Sequence, residues 1–495
     1  MRRSRAFITA RPAGGTCGDG AALAPLEDGR ARLPSGLQPD DAPSSQSSPS
    51  RAPASDGLSA TAQSPGLPFG SSITADDVVA TTLFLAVFLF FWISITPFVD
   101  LTDPAVLLPQ TGSNTANQAV VIGLAGSLVL YAVYAQKRWF TPVLNTPLIL
   151  LFAWLVVSTA TSIDPSLSGR RVVLTAIVFV IVAVTLLLPK DVERFADLIA
   201  AAALIVLVIS YGGVMLAPHY AVHQAGELLE PEHAGHWRGP FTHKNGAGAA
   251  MVMCVFMGLY VARRRSAFVG WFITAAAALF LVCSMAKTSI ALLLPSLLLA
   301  WVISKLRSTS RRLLVVGGLL SLLLLLTVGS VLVPVVASFN ASVMADPSFT
   351  NRTDIWRFAF SAVAARPIFG SGFEAFWGSE DVFFGESTSW ANRAANSHDG
   401  YLDVLLGTGF PGLCIVVWLF IVEPIRNLKI IEDAQSDPVT ALFFTQLWIY
   451  GVFFAGLETF FFTNGGPVWF MFLMAILGLQ FQAKARHRSR SVSTP

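Results

Sequence analysis

Six of the seven histidines in this chain fall in two stretches where chemistry is conceivable. His219, His223, His233, His236 and His243 crowd one of them, and His398 opens the run HDGYLDVLLGTGFPGL. An imidazole titrates near neutrality, so it can take a proton from a hydroxyl nucleophile. His398, next to Asp399, is therefore the candidate base; its plainer role is that of an interfacial histidine bonded to backbone. HAGH at 233–236, with Glu232 and His243, offers metal-ligand atom types. Neither HExxH nor another strong ligand spacing accompanies it, so no metal and no cofactor is expected. Cys17, Cys254, Cys283 and Cys414 form no CxxC pair, and the last three lie in apolar runs, where a free cysteine acts as a small packing residue.

A second set is cationic. Arg170 and Arg171 adjoin one apolar run, Arg238 and Lys244 stand in RGPFTHKN, Lys287 in SMAKTS and Arg352 in NRTDIW. Guanidinium forks match phosphate oxygens bidentately, and ammonium groups add point charge, so a converging set of this kind suits a diphosphate. Singly, each can instead pair with Asp346, Asp354 or Glu380, or face lipid headgroups. As a set they are better explained by a phosphate-bearing ligand.

The elements that must position these residues follow from composition. Hydrophobic residues make up 54% of the 495 and charged residues 13%, with a mean hydropathy of +0.62. Soluble domains carry nearer a quarter charged residues, so this chain is read as an integral membrane protein. A cytosolic enzyme, a secreted domain and a nucleic-acid binder are excluded, and a net charge of +3 implies no polyanion partner. Apolar runs of bilayer length recur at 78–97, 119–135, 146–163, 172–189, 196–216, 246–262, 267–284, 288–304, 312–336, 409–424, 439–457 and 467–482. Backbone in lipid must bond within its own segment, so an all-α polytopic fold of about twelve helices is expected.

Most of the 33 lysines and arginines fall on one side of such a bundle. By the positive-inside rule that side is cytoplasmic, with both termini. The outer side then holds two long segments, about 218–245 and 337–408, the second between helices nine and ten. Connections longer than about 12–15 residues are usually functional or disordered, and these are rich in Trp, Phe, His and Gly. Within the second, Ile355, Phe358 and Ala362 have helical spacing, which predicts a short amphipathic helix ending before Pro367. Residues 1–72, rich in Pro, Ser, Gly and Ala, are expected to be a disordered cytoplasmic tail and not a signal peptide. Residues 73–485 form the membrane domain, and 486–495 a basic cytoplasmic tail. The apolar spans carry almost no ionisable residue at mid-depth; Glu423 and Glu458 lie at span ends. Transporters usually keep such groups at the midplane, which weighs against a flippase or exporter.

Four stretches, in this order and topology, resemble the O-antigen ligase and Wzy-type polysaccharide polymerase superfamily. They are GPFTHKNGAGAAMVM, SMAKTS, NRTDIWRFAFSAVAARPIFGSGFEAFW and HDGYLDVLLGTGFPGL; the HKN and HDGYLD segments look closest to the exopolysaccharide-production branch. In the last stretch His398, Leu402, Leu405, Gly409, Gly412 and Leu413 match the family signature. Asp399 replaces its usual Asn, and Gly407 stands at its usual Glu. The acid is then either dispensable or supplied by Asp399, Asp403 or Glu458.

The resemblance implies a metal-independent, inverting membrane glycosyltransferase working at the periplasmic face of the bacterial inner membrane. Its donor would be an oligosaccharide on undecaprenyl diphosphate and its acceptor a sugar hydroxyl on another lipid-linked repeat unit. His398 would activate the acceptor. Arg238, Arg352 and Arg170 or Arg171 would hold the diphosphate, with Lys244 and Lys287 in support. Asp399, Trp356, Phe373, Phe376, Trp377 and Glu458 would meet sugar or acceptor. Ligation of finished glycan to lipid A core or protein is the alternative within the same chemistry; a lipid-linked glycan transporter is the alternative from another class. Chain-length regulators and export proteins are the implied protein partners, and no nucleic acid is.

Overall fold

Local signals in the sequence start most of the helices. Thr74 and Asp77 form a reciprocal capping box, and the side chains of Asn145, Asp164, Asp191, Ser266, Ser308 and Asp437 each accept a backbone N–H at a helix start. Pro165 and Pro438 occupy first-turn positions, where the missing N–H costs nothing. The computed structural model describes residues 74–104, 115–135, 144–228, 230–379, 382 and 390–492. The expected tail 1–72 and Glu380 lie outside the described residues. Among the described residues there is no strand, only an isolated bridge between Val222 and Trp237.

The helices are α1 (Ala75–Ile93), α2 (Thr115–Ala135), α3 (Thr146–Ala160), α4 (Pro165–Thr185), α5 (Val192–Leu216), α6 (Lys244–Arg264), α7 (Ala267–Ser284) and α8 (Lys287–Lys305). They continue with α9 (Thr309–Leu326), α10 (Pro334–Val343), α11 (Arg352–Ala365), α12 (Gly400–Val417), α13 (Glu423–Asp433), α14 (Pro438–Phe454) and α15 (Pro467–Val492). Among the described residues ten stretches are long and apolar enough to cross a membrane, by length and composition; α12, a π-helical turn at Trp418–Val422 and α13 together make one of them. The chain is an all-α, multi-pass membrane protein.

Helices α6 and α14 and residues 467–484 of α15 form the middle of the bundle and are buried on almost every side. Helices α6 and α7 meet backbone to backbone: a Cβ on Gly258 would lie 2.7 Å from the Gly270 carbonyl oxygen, and one on Gly270 would lie 2.2 Å from the Ala262 nitrogen. Small residues permit that approach, which is how apolar helices associate without a hydrophobic drive. Some buried polar groups are satisfied across helices, as where Tyr450 meets Ser289 at 3.1 Å and Trp448 donates to the Phe420 carbonyl at 2.6 Å.

Several boundaries differ from expectation. The third and eleventh spans are apolar helices of only 15 and 17 residues. The ninth does not run to 336: α9 stops at Leu326 and Pro334 starts the separate α10. Helix α15 continues to Val492, past the expected boundary at residue 485. The tenth span begins at Gly400, nine residues ahead of the apolar run beginning at Gly409, because Asp399 caps a helix in the less apolar GYLDVLLGT. Helix α12 then breaks at Gly409, with φ 69° and ψ −175°. The loop after α11 docks on the break: Phe410 N–H donates to Pro367 at 2.9 Å, Ser371 to Leu406 at 2.9 Å and Gly372 to Gly407 at 3.0 Å.

A Cβ at Gly409 would sit 2.0 Å from the Ile368 carbonyl oxygen, in a backbone conformation open essentially to glycine alone. Gly409→Ala should therefore destabilise the folded protein by at least about 2 kcal/mol, read as a lowered melting midpoint of the detergent-solubilised protein. An unchanged midpoint would mean that the loop does not lock onto α12.

Candidate active site

The residues around His398 are fixed before any substrate arrives. His398 itself has φ +55°, a left-handed conformation that costs a non-glycine residue of order 1 kcal/mol and persists only where surroundings impose it. They do impose it: Asn396 Oδ1 accepts the His398 N–H at 2.9 Å, Trp356 Nε1 donates to the Ser397 carbonyl at 2.9 Å, and the Asp399 carboxylate caps α12 through the Leu402 N–H at 2.8 Å. Asp403 ties the surrounding loops together, accepting from Trp377 Nε1 at 2.8 Å, from the Ser397 N–H at 3.1 Å and from the Thr459 hydroxyl. The start of α12 rests on the end of α14 through Gly400 N–H to the Ala455 carbonyl at 2.7 Å.

That docking brings His398 to Glu458. The His398 Nδ1 lies 3.1 Å from Glu458 Oε2, and Arg352 Nη2 donates to Glu458 Oε1 at 2.8 Å while its Nη1 donates to the Leu457 carbonyl at 2.5 Å. Asn245 Nδ2 reaches the same Oε1 at 3.3 Å. Burial alone would raise the Glu458 carboxyl, but the His398 hydrogen bond and the Arg352 charge outweigh it and hold it below its ordinary value. An ionised carboxylate can only accept, so Nδ1 carries a proton, and in the neutral imidazole the lone pair is then on Nε2. The His398 side chain is 37% exposed, and among the described residues nothing bonds to Nε2. A base with a fixed tautomer and an open nitrogen can deprotonate a hydroxyl.

Of the three acids named for the one absent at Gly407, Glu458 is the one in contact with His398. Gly407 lies in a close backbone contact: its carbonyl accepts from Gly372 N–H and from Ser158 Oγ at 3.0 Å each. A Cβ there would lie 3.2 Å from the Gly372 oxygen.

Three helices meet here with a cation as first residue: Lys244 on α6, Lys287 on α8 and Arg352 on α11. The Asn245–Glu458 contact joins the starts of α6 and α11. Gly248 and Ala286 join α6 and α8, since a Cβ on that glycine would lie 2.3 Å from the Ala286 Cβ. A helix N-terminus is the positive end of its dipole, so a cation there is unfavourable by itself and favourable only beside an anion. Lys287 is exposed. Lys244 is nearly buried and donates to His236 Nδ1 at 3.0 Å.

Other expected residues take other places. Arg238 is fully buried, and its guanidinium donates to the carbonyls of Val99 at 2.7 Å and Phe241 at 3.1 Å; it clamps loops and does not face the cation cluster. Arg170 is exposed and bonds Ser166 on its own helix at 3.3 Å. Arg171 donates to the Glu374 carbonyl, away from His398's partners. Trp356 is 2% exposed and Asp399 is completely enclosed, so neither offers a face to a sugar. Phe373, Phe376 and Trp377 line a cavity of about 570 Å³ beside His398. Sequence reasoning missed Asn245, Asn396 and Glu374. Asn245 was signalled by HKN, and Glu374 by a lone acid inside GSGFEAFW.

In the histidine-rich loop, Glu230 (not Glu232) joins His233 and His243, their ligand atoms lying within 4.8 Å of one another. These three could approach a metal ion. However, His243 Nδ1 accepts the Asn245 N–H at 3.1 Å, which leaves the proton on Nε2, 2.6 Å from Glu230 Oε2. His243 holds the Glu230 carboxyl down at about 2. The arrangement as it stands is a histidine–carboxylate contact at the start of α6, and a metal on Nε2 would require that proton to leave. His223, buried, donates from Nδ1 to Glu227 at 2.6 Å and accepts the Lys244 N–H at 3.2 Å; burial lowers its basicity.

Residues 272–417 match the family model described as O-Antigen ligase, Wzy_C. The matched span contains Lys287, Arg352 and His398; Lys244 and Glu458 lie outside it. No curated protein matches the chain.

Burial pushes the Asp399 carboxyl up to about 7, and its Oδ2 has no hydrogen-bond partner. The folded state then binds this proton more tightly than the unfolded state, so the contribution to stability falls as pH rises from about 4 to about 7. Asp399→Asn keeps an oxygen for the Leu402 N–H and does not titrate. Its melting midpoint should gain on the parent's between pH 5 and pH 8; a constant difference would contradict the shift.

Proposed function

We propose that this chain polymerises undecaprenyl-diphosphate-linked repeat units into exopolysaccharide or O-antigen, a reading supported by the match of residues 272–417 to the O-Antigen ligase family model. The observation that carries the reading is the Arg352–Glu458–His398 arrangement, with the His398 Nε2 open beside three cationic helix starts. The acceptor hydroxyl oxygen attacks the anomeric carbon as Nε2 takes its proton. The new C–O bond forms, the bond from that carbon to the diphosphate oxygen breaks, and the electron pair leaves with the polyprenyl diphosphate. Attack opposite the leaving group inverts the anomeric configuration, and the step needs no metal.

Arg352, Lys244 and Lys287, each at a positive helix end, stabilise the charge that grows on the diphosphate. In this reading Arg352 takes two roles, since the edge bound to Glu458 also braces the base. Arg238 and Arg170 have no part in holding the ligand. The site lies at the bundle end that holds the α1 C-terminus and the α6 N-terminus, taken here as the periplasmic face of the inner membrane, with both termini cytoplasmic. Because the matching family model is that of the ligases, transfer of finished glycan to lipid A core or protein is the second reading.

The test is the surface polysaccharide of cells that lack the gene and are complemented with variants. His398→Ala should cut product by at least about a hundredfold with the protein still inserted, and Arg352→Lys, which keeps charge but loses the fork, should also impair it. Single repeat units left on the lipid carrier would identify polymerisation. Long lipid-linked polymer that never reaches an acceptor would identify ligation. Full product from His398→Ala would remove this histidine from the reaction.

A further inference from the structure

A second polar feature at the same end of the bundle plays no part in the chemistry above. The cavity of about 570 Å³ is bounded by the end of α1, the starts of α2 and α4, the loop after α11 and the segment after α14. Its volume is in the range of small-molecule sites. Neither His398, Arg352 nor Glu458 lines it, yet their chain neighbours Asn396, Gly400 and Thr459 do. The cavity therefore opens against the segments that carry the base and its carboxylate.

The walls combine two kinds of group. Phe373, Phe376, Trp377 and Phe461 give aromatic surface, and Asn117, Gln118, Asn396 and Asn464 give amides. Aromatic faces suit the C–H faces of a pyranose, and amides both donate and accept, as ring hydroxyls do. Among the described residues that line it, two carboxyl groups, Glu374 and Asp403, face a single cation, Arg171. That cation is committed to the Glu374 carbonyl. Such a balance disfavours a phosphate, in contrast with the three helix starts near Glu458.

Glu374 is the unusual member. Its backbone has φ +52°, a conformation that glycine would adopt without strain. Arg171 holds it there through the carbonyl. Asp403 has its oxygens occupied by Trp377, Ser397 and Thr459, whereas no hydrogen bond to the Glu374 carboxyl forms among the described residues. Burial pushes that carboxyl up to about 8, so at neutral pH it is mostly an acid that can both donate and accept.

We propose that this cavity seats a neutral sugar of the glycan acceptor, and that Glu374 reads its hydroxyl groups and so positions the acceptor for His398. The inference rests on the glycosyltransferase reading for the word acceptor; the cavity's affinity for sugar does not.

Purified protein in nanodiscs would be titrated with oligosaccharides released by partial acid hydrolysis of the polysaccharide that the source cells make. The parent and His398→Ala should bind them alike, and Glu374→Ala should bind at least about tenfold more weakly, the loss of one or two hydrogen bonds. Glu374→Gln, which still donates and accepts, should recover part of the affinity, with melting midpoints unchanged. In transfer assays Glu374→Ala should raise the acceptor KM and leave the donor KM and kcat within about threefold. Equal binding by parent and Glu374→Ala, or no binding by the parent, would overturn the proposal. Binding lost in Glu374→Ala by a protein that transfers nothing would sustain the sugar site and sink the glycosyltransferase reading instead.

Discussion

One nearly enclosed carboxylate organises the end of the bundle where the candidate chemistry lies. Glu458 holds an imidazole on one oxygen and a guanidinium and an amide on the other. Each contact reaches a different part of the chain: His398 lies just before α12, Arg352 begins α11 and Asn245 lies in the first turn of α6. A carboxylate this enclosed is tolerable only if it is paired and hydrogen-bonded. The same pairing that makes it tolerable holds the His398 Nδ1 and leaves Nε2 without a hydrogen bond among the described residues. Stability and the proposed reactivity therefore depend on the same few bonds.

The rest of the fold serves to bring those parts together. Glycine-mediated contact between α6 and α7 and between α6 and α8 draws helix starts closer than larger residues would permit. Lys244, Lys287 and Arg352 consequently share one region, each at the end of a helix where its own dipole disfavours it. Arg238 and Trp356 act underneath, as braces: one ties the loop before α6 to the segment after α1, the other holds Ser397 and so the strained His398 backbone. Asp403 joins the three loops around the site at a single carboxylate.

Much of this was legible in the sequence, and the failures have physical causes. Apolar run lengths disclosed the helices, because backbone in a bilayer has few options. His398 and Arg352 stood out as a histidine and an arginine in segments too polar to be buried in lipid. Glu458 was recognisable only as one of three acids able to replace the one missing at Gly407. The start of α12 was misplaced because hydropathy finds lipid-facing helix, whereas GYLDVLLGT is packed under loops. Arg238 was misread because one basic residue cannot reveal whether its fork meets a ligand or two carbonyls. Trp356 and Asp399 failed for the same reason, since burial beneath a loop leaves no periodic trace. Glu374 is a solitary acid whose significance lies in a left-handed backbone and an aromatic cavity, neither visible in residue order.

The account stands or falls on whether Glu458 sets the state of His398. The measurement that addresses it most directly is the transfer rate of purified Glu458→Gln in nanodiscs, supplied with lipid-linked repeat units extracted from cells lacking the gene. A glutamine is the same size and still meets Arg352 and Asn245, but it no longer fixes the proton on Nδ1. The account predicts a fall in kcat of at least about a hundredfold with the melting midpoint little changed. A rate within about threefold of the parent would show that His398 does not act as a base oriented by this carboxylate.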